Sequence, residues 1–149
     1  MANPLYGQNK ADNHLDSQSK LVKVPINGGV AVSAVTHAAG DHGIAWKNPE
    51  GVDIIVECIV LDVTTEATGA ATMDIGVAAD GTTGSDTLLD GVNVGAAAIL
   101  ATNGNNGGTN GKTMVPMTSS QFITGDASAS IAGLVGNIWI KYFIPSKVS

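Results

Sequence analysis

The run VDIIVECIVLDV at residues 52–63 holds β-branched and apolar residues in close succession without Gly or Pro. Val and Ile fit a pleated, half-buried surface, so the run predicts the central strand of a sheet. Twelve extended residues would span roughly 40 Å, about twice the usual strand, which favours a bulge or bend inside the run. Strict alternation places Val52, Ile54, Val56, Cys58 and Val60 on one face, and Asp53, Ile55, Glu57, Ile59 and Leu61 on the other. We therefore expect both faces to be mostly buried.

Short strands separated by Gly, Asn and Pro turns continue along the chain. Strands are predicted at residues 20–26, 30–38, 44–47, 70–79, 112–117, 130–135 and 138–144. Pro25 marks the first as an edge strand, and the Asn27-Gly28-Gly29 turn predicts that it forms a hairpin with the second. Loops are predicted at residues 64–69, 80–90, 103–111 and 119–128, with Leu88, Leu89, Phe122 and Ile123 as buried contacts. Residues 92–102 fit a strand, a short helix or a crossover equally well.

Eight or nine short strands and no amphipathic helix predict an all-β fold. We expect an antiparallel two-sheet β-sandwich over residues 20–149, forming one domain, with jelly-roll topology favoured. An immunoglobulin-like sandwich is the alternative. Its Cys and Trp pattern is missing, because Cys58 is the only cysteine and is expected to be a small buried hydrophobe.

Residues 1–19, MANPLYGQNKADNHLDSQS, show neither a helical period nor alternation, and they predict an extended N-terminal arm. Its apolar anchors are Leu5, Tyr6 and Leu15. Such an arm is either a disordered terminus or a segment that becomes ordered on a partner. In the second case these three residues are the candidate partner-binding residues.

The charge pattern argues against several classes of partner. The chain has a formal charge of −6, and its seven basic residues other than His are all Lys. Without Arg, and with scattered Lys, a nucleic-acid surface is not expected. The apolar runs fall short of the roughly 18 to 20 residues of a membrane span, and the first residues lack a signal pattern. Only 13% of the residues are charged, which favours a surface that lies against another protein.

One string in the sequence ends in the Gly-Lys-Thr of a phosphate-binding loop: Gly107-Gly108-Thr109-Asn110-Gly111-Lys112-Thr113. The motif needs a Gly where this chain has Asn106, and it needs a helix to follow, whereas Pro116 favours a strand. No nucleotide cofactor is therefore expected.

Candidate metal ligands and catalytic groups also lack the required spacing. His37, Asp41 and His42 share one turn region without a fourth ligand. Asp80, Asp86 and Asp90 do not follow the spacing of a calcium loop. Asp53 and Glu57 would be about 13 Å apart along a strand, too far for a glycosidase pair. We expect no metal, no cofactor, no catalytic residues and no enzymatic activity.

The chain resembles the small jelly-roll decoration (cement) proteins of tailed bacteriophage capsids. Three segments carry the resemblance: the arm at 1–19, the stretch VECIVLDVTTEATGAATMDIGVAADGTTGSDTLLDGVNVG at 56–95, and GNIWIKYFI at 136–144. The resemblance implies a homotrimer on the exterior of the virion that binds and stabilises the shell of major capsid protein. It also implies synthesis in the host cytoplasm and an arm that runs along the capsid surface.

The alternative is a carbohydrate-binding β-sandwich, as in a phage fibre or tail module. Such sites present exposed aromatic platforms. This chain has two Trp, two Tyr and two Phe, and Trp139, Tyr142 and Phe143 fall in one predicted strand. We expect these three to serve the core and an interface.

Overall fold

The computed structural model of the protein describes residues 19–32, 43–96, 100–102 and 107–145. Regular structure in these ranges is almost entirely extended, with one 3-10 turn at Ile26–Gly29. The strands are β1 (Lys20–Pro25), β2 (Ala45–Lys47), β3 (Ile54–Thr65), β4 (Thr72–Ala78), β5 (Leu89–Asn93), β6 (Leu100–Thr102), β7 (Val115–Met117), β8 (Phe122–Ala127) and β9 (Val135–Phe143). The predicted all-β class is confirmed.

The strands form two antiparallel sheets. Sheet A has the order β1-β9-β3-β6, and β7 pairs with a separate part of β3. Sheet B has the order β2-β8-β4-β5. The fold is therefore the predicted β-sandwich, with a core between the inner faces of the two sheets.

The order of pairing identifies the topology. The outermost pair, β1 with β9, lies in sheet A, and the next pair, β2 with β8, lies in sheet B. β3 then pairs with β6 and β7 in sheet A, and β4 pairs with β5 in sheet B. The chain is thus folded like one long hairpin whose successive pairs alternate between the sheets, which is the jelly roll. The topology that the sequence favoured is confirmed.

The core is built mainly from aliphatic residues of the central strands. Its fully buried members include Ile54, Val56, Ile59 and Leu61 of β3, Met73 and Ile75 of β4, Ile123 of β8, and Ile138 and Ile140 of β9. Leu88 and Leu89 are also fully buried, as predicted.

β3 confirms both the central strand and the predicted bulge, but it corrects the two faces. The register against β9 shifts between Val56 and Cys58, so Glu57 is an extra residue. Before the shift Ile54 and Val56 are buried; after it the buried residues are Ile59, Leu61 and Val63. The prediction that Cys58 and Val60 share a face with Ile54 was wrong, because an inserted residue moves the following side chains to the opposite face. Cys58 is half-buried and lies outside the core.

The turn before β3 begins with Asn48, whose amide is buried between two loops. Its Nδ2 donates to the carbonyl oxygens of Val52 at 2.9 Å and Thr118 at 3.1 Å. The strand therefore starts two residues later than predicted, and Val52 lies in the turn with 47% of its surface exposed.

Two other predictions were wrong. Residues 119–128 were predicted to be a loop but contain β8. Its middle residues, Thr124 and Gly125, break the apolar alternation, yet both are buried because segments pack closely on them. Residues 130–135 were predicted to be a strand, but residues 130–134 form a turn in which Gly133 has a φ of 84°, and β9 begins only at Val135. Ile131 and Leu134 of this segment are fully buried in the core although they are not in a strand. Their apolar side chains therefore gave the sequence the pattern of a strand.

The predicted hairpin between β1 and the segment from Val30 is not found in the described residues. β1 pairs with β9 instead, from Lys20 opposite Tyr142 to Pro25 opposite Asn137. Pro25 ends β1 at the edge of sheet A, as predicted. Residues 33–42 lie outside the described ranges.

Candidate binding surface

The predicted partner-binding residues Leu5, Tyr6 and Leu15 lie outside the described residues, so their role stays a prediction. His37, Asp41 and His42, for which no metal site was expected, also lie outside the described residues. Among the residues that the structure describes, no helix is long and apolar enough to cross a membrane.

The structure separates the aspartates that were compared with a calcium loop. Asp80 Oδ1 accepts the backbone N–H groups of Thr82 and Thr83, both at 2.8 Å, and these hydrogen bonds lower the pKa of Asp80. Asp86 and Asp90 instead accept hydrogen bonds from the side chain and the backbone of Asn110, at 2.9 and 3.0 Å. In the part of the chain that the structure describes, no group of three or more His, Cys, Asp and Glu side chains could hold a metal.

Asp74 of β4 is a further aspartate close to Asp86 and Asp90. In the sheet it lies opposite Asp126 of β8. Its Oδ1 accepts the N–H of Gly91 at 2.6 Å. Burial raises the pKa of Asp74, and the negative charges of Asp90, Asp86 and Asp126 act in the same direction. Asp74, Asp86 and Asp90 thus have a structural role, because their carboxylates accept hydrogen bonds from Gly91 and Asn110.

The remaining candidates from the sequence have separate structural roles. After Gly111 three residues without regular structure lead into β7, so the string ending in Lys112-Thr113 is not followed by a helix N-terminus that could bind a phosphate. Asp53 accepts the N–H of Ser119 at 3.2 Å, whereas Glu57 lies in the bulge near Lys141. Asp53 and Glu57 thus have different partners.

The outer face of sheet B is covered by the loop between β4 and β5. Thr124 is fully buried on that side, and its hydroxyl donates to the carbonyl oxygen of Thr83 at 2.7 Å. The N–H of Val77 donates to the Thr87 hydroxyl at 2.9 Å. The loop thus occupies this face and leaves little of it for a partner.

The outer face of sheet A is apolar and open. It carries the side chains that alternate with the core residues of β1, β9 and β3. Leu21 of β1 is 64% exposed, and its neighbours on the face are half-buried: Trp139 and Phe143 of β9, and Ile55, Cys58 and Val60 of β3. Apolar residues in such an arrangement are typical of a surface that contacts another chain segment or protein.

Four charged side chains share this face with the apolar ones: Lys23, Glu57, Asp62 and Lys141. Lys23 Nζ lies 5.3 Å from the centre of the Trp139 ring, in a cation–π contact. Lys141 Nζ lies 3.4 Å from Glu57 Oε2, which also accepts a hydrogen bond from the Ser19 hydroxyl. The face is therefore the best candidate for a binding surface among the described residues. The sequence did not predict it, because the bulge decides which side chains of β3 point outward.

The end of the sandwich next to this face is closed by a polar cluster. The hydroxyl of Tyr142, which is 2% exposed, donates to Glu50 Oε1 at 2.7 Å. Lys20 Nζ binds the same oxygen at 2.7 Å, and the ring of Trp46 packs on that of Tyr142 at a centroid distance of 5.5 Å. Burial and the Glu50 carboxylate raise the pKa of Tyr142. This cluster ties β1 to β9 and to the turn before β3.

Comparisons with known proteins find similarity only at the level of structure. No family model and no curated protein matches the chain. A chain in the solved structure of the capsid of Ralstonia phage GP4 is similar over 84% of this chain and 83% of its own length. The TM-score is 0.50 and the sequence identity is 17%. At that identity the likeness shows a shared fold.

Proposed function

We propose that this protein is a non-enzymatic structural protein of a phage virion, a decoration (cement) protein of the capsid. It binds the outer surface of the major capsid shell as a homotrimer and stabilises the shell. Residues 1–19 form an arm that runs along the shell, and residues 20–149 form the sandwich.

The observation that carries this proposal is the similarity to a chain of the GP4 phage capsid along most of both chains. Coverage of 84% and 83% means that whole sandwiches are alike, rather than one shared motif. Because one fold hosts many functions, this supports a virion role only together with features of the chain itself.

The surface supports the same role. One sheet face is covered by the protein's own loop, and the other presents half-buried apolar side chains among four charged ones. An apolar open face next to the root of a polar arm suits a protein that binds other proteins. The arm contributes Leu5, Tyr6 and Leu15 as apolar anchors for attachment.

The test is binding to capsids that lack the protein. Purified chain is mixed with shells of the cognate major capsid protein, and bound chain is measured by sedimentation and located by electron microscopy. We expect saturable binding on the outer surface and shells that break at a higher temperature. Shells that bind none of the chain and break at the same temperature would contradict the proposal.

The arm is tested with a matched pair of triple variants. Replacing Leu5, Tyr6 and Leu15 by Ser is expected to weaken attachment by at least about tenfold, or about 1.4 kcal/mol. The control replaces Gln8, Asn9 and Gln18 by Ser, which changes the same arm but leaves its apolar anchors. Equal attachment of the two variants would show that the arm does not bind through these anchors.

A carbohydrate-binding module of a fibre or tail has less support. Such a site needs an open aromatic platform, but Trp46 packs against Tyr142 and Lys23 lies over Trp139.

A further inference from the structure

The N-terminal segment, residues 1–18, joins the sandwich next to the outer face of sheet A. Ser19 is the first described residue, and the next residue, Lys20, pairs with Tyr142 at the end of β9. The apolar side chains nearest this point are Phe143 of β9 and Ile55, its partner on β3. Cys58 lies opposite Lys141 in the neighbouring row.

The contacts of Ser19 show the direction in which the chain enters. Its hydroxyl donates to the Glu57 carboxylate on β3, although β9 lies between β1 and β3. The same carboxylate pairs with Lys141, which projects from the outer side of β9. The side chain just before β1 therefore reaches across the outer face of sheet A, and the residues before it start from a position above that face.

The length of the preceding segment suits this path. Eighteen residues precede Ser19, and neighbouring strands lie about 4.8 Å apart, so the face from β1 to β7 is about 15 Å wide. Leu15 is four residues before Ser19 and can lie up to about 14 Å from it. Residues 11–18 are thus long enough to cross the face, and Leu15 is the apolar residue among them that is large enough to cover it.

We propose that residues 11–18 lie across the outer face of sheet A of their own chain, with Leu15 packed against Phe143, Ile55 and Cys58. In this extended path Leu15 faces the sheet, while His14 and Asp16 face solvent. The tether through Ser19 gives the segment of the same chain a high effective concentration at the face, which favours it over a segment from another copy. Leu15 then fixes the root of the arm, and Leu5 and Tyr6 are left to reach beyond the sandwich.

Cys58 is the only cysteine of the chain and lies on this face. The reactivity of its thiol therefore shows whether residues 11–18 cover the outer face of sheet A. The first measurement is the rate at which iodoacetamide alkylates Cys58 in the purified full-length chain. Replacing Leu15 by Ser is expected to raise this rate by at least about fivefold, because thiol reactivity follows exposure. Leu5→Ser is the matched control and should react like the wild-type chain. Equal rates for wild type and Leu15→Ser would overturn the proposal.

The second measurement locates the segment by a disulfide with Cys58 and does not depend on a destabilising change. Under mild oxidation, Ser17→Cys, which keeps Leu15 and faces the sheet in the same extended path, is expected to form the intrachain disulfide at least about fivefold faster than Asp16→Cys. The two tethers differ by one residue, so an arm that moves freely would give nearly equal rates. Equal rates, or disulfide-linked dimers as the main product, would overturn the proposal. Neither measurement needs a capsid, so a failure here is separate from a failure of the proposed virion role.

Discussion

Gly76 of β4 lets the loop between β4 and β5 lie flat on sheet B. A Cβ at this position would be 2.4 Å from Ser85 Oγ and 2.6 Å from the backbone nitrogen of Thr87. The second obstacle is backbone, which cannot rotate away. The loop therefore depends on a residue without a side chain at this point of the strand.

Gly76→Ala is expected to destabilise the protein by about 1–3 kcal/mol, because overpacking displaces the loop. Gly69→Ala is the matched control, since its Cβ would meet no atom within 4 Å. Denaturant unfolding measures both. Equal free energies of unfolding for the two variants would contradict the close packing of the loop on sheet B.

Tyr142 places a phenol against a carboxylate at the buried end of β9. Tyr142→Phe removes one hydrogen bond to a charged group and is expected to cost about 1.5–3 kcal/mol at neutral pH. The variant leaves the ring and its packing on Trp46 unchanged. The free energy of unfolding of wild type and variant, compared at the same pH, isolates this hydroxyl.

The same pair predicts a pH dependence. The pKa of Tyr142 is raised above its ordinary value of 10.0, so above that pH the unfolded chain loses the phenolic proton while the folded protein keeps it. The stabilisation by the hydroxyl is therefore fully present below about pH 10 and decreases as pH rises further. Unfolding measured from pH 8 to 11 should show the wild-type advantage over Tyr142→Phe shrinking above pH 10. A constant difference across this range would contradict the raised pKa.

At the scale of elements, the bulge at Glu57 is the feature that gives sheet A its two different faces. It moves Ile59 and Leu61 into the core and turns Cys58 and Val60 outward. Without it, β3 would bury Cys58 and Val60 in place of Ile59 and Leu61. One inserted residue thus decides which side chains in the second half of β3 belong to the candidate binding surface.

Neighbouring alanine substitutions test this assignment. Ile59→Ala should cost about 2–5 kcal/mol, because it leaves a cavity in the core. Val60→Ala should cost no more than about 1 kcal/mol, because the side chain is only half-buried. Denaturant unfolding of the two variants gives the comparison. A larger loss for Val60→Ala would mean that β3 has the unbulged register.

At the scale of the whole molecule, the low charge of the chain favours association, because only 13% of its residues are charged. The proposed homotrimer has an expected mass of about 45 kDa, three times that of the 15.0 kDa chain. Light scattering after size exclusion measures this mass directly. A monomer at micromolar concentration would contradict the homotrimer and leave the fold unaffected.

The sequence alone determined the fold class, because local patterns carry it. The β-branched residues of β3, the alternation of β9 and the Gly and Asn turns each predicted extended structure that the fold confirms. β1 was likewise predicted at an edge through Pro25. The sequence also indicated an N-terminal arm with three apolar anchors, and this part of the candidate site stays a prediction.

The tertiary structure decided what depends on contacts between distant residues. β8 was missed because Thr124 and Gly125 are buried only where another segment packs on them, which no local pattern records. The turn at 130–134 was mistaken for a strand because Ile131 and Leu134 are buried without pairing in a sheet. Leu21, Trp139 and Val60 lie together on the outer face of sheet A. The register between strands that are distant in the sequence brings them together. Strand pairing and one bulge place these side chains on a common face, so the surface exists only in the folded chain.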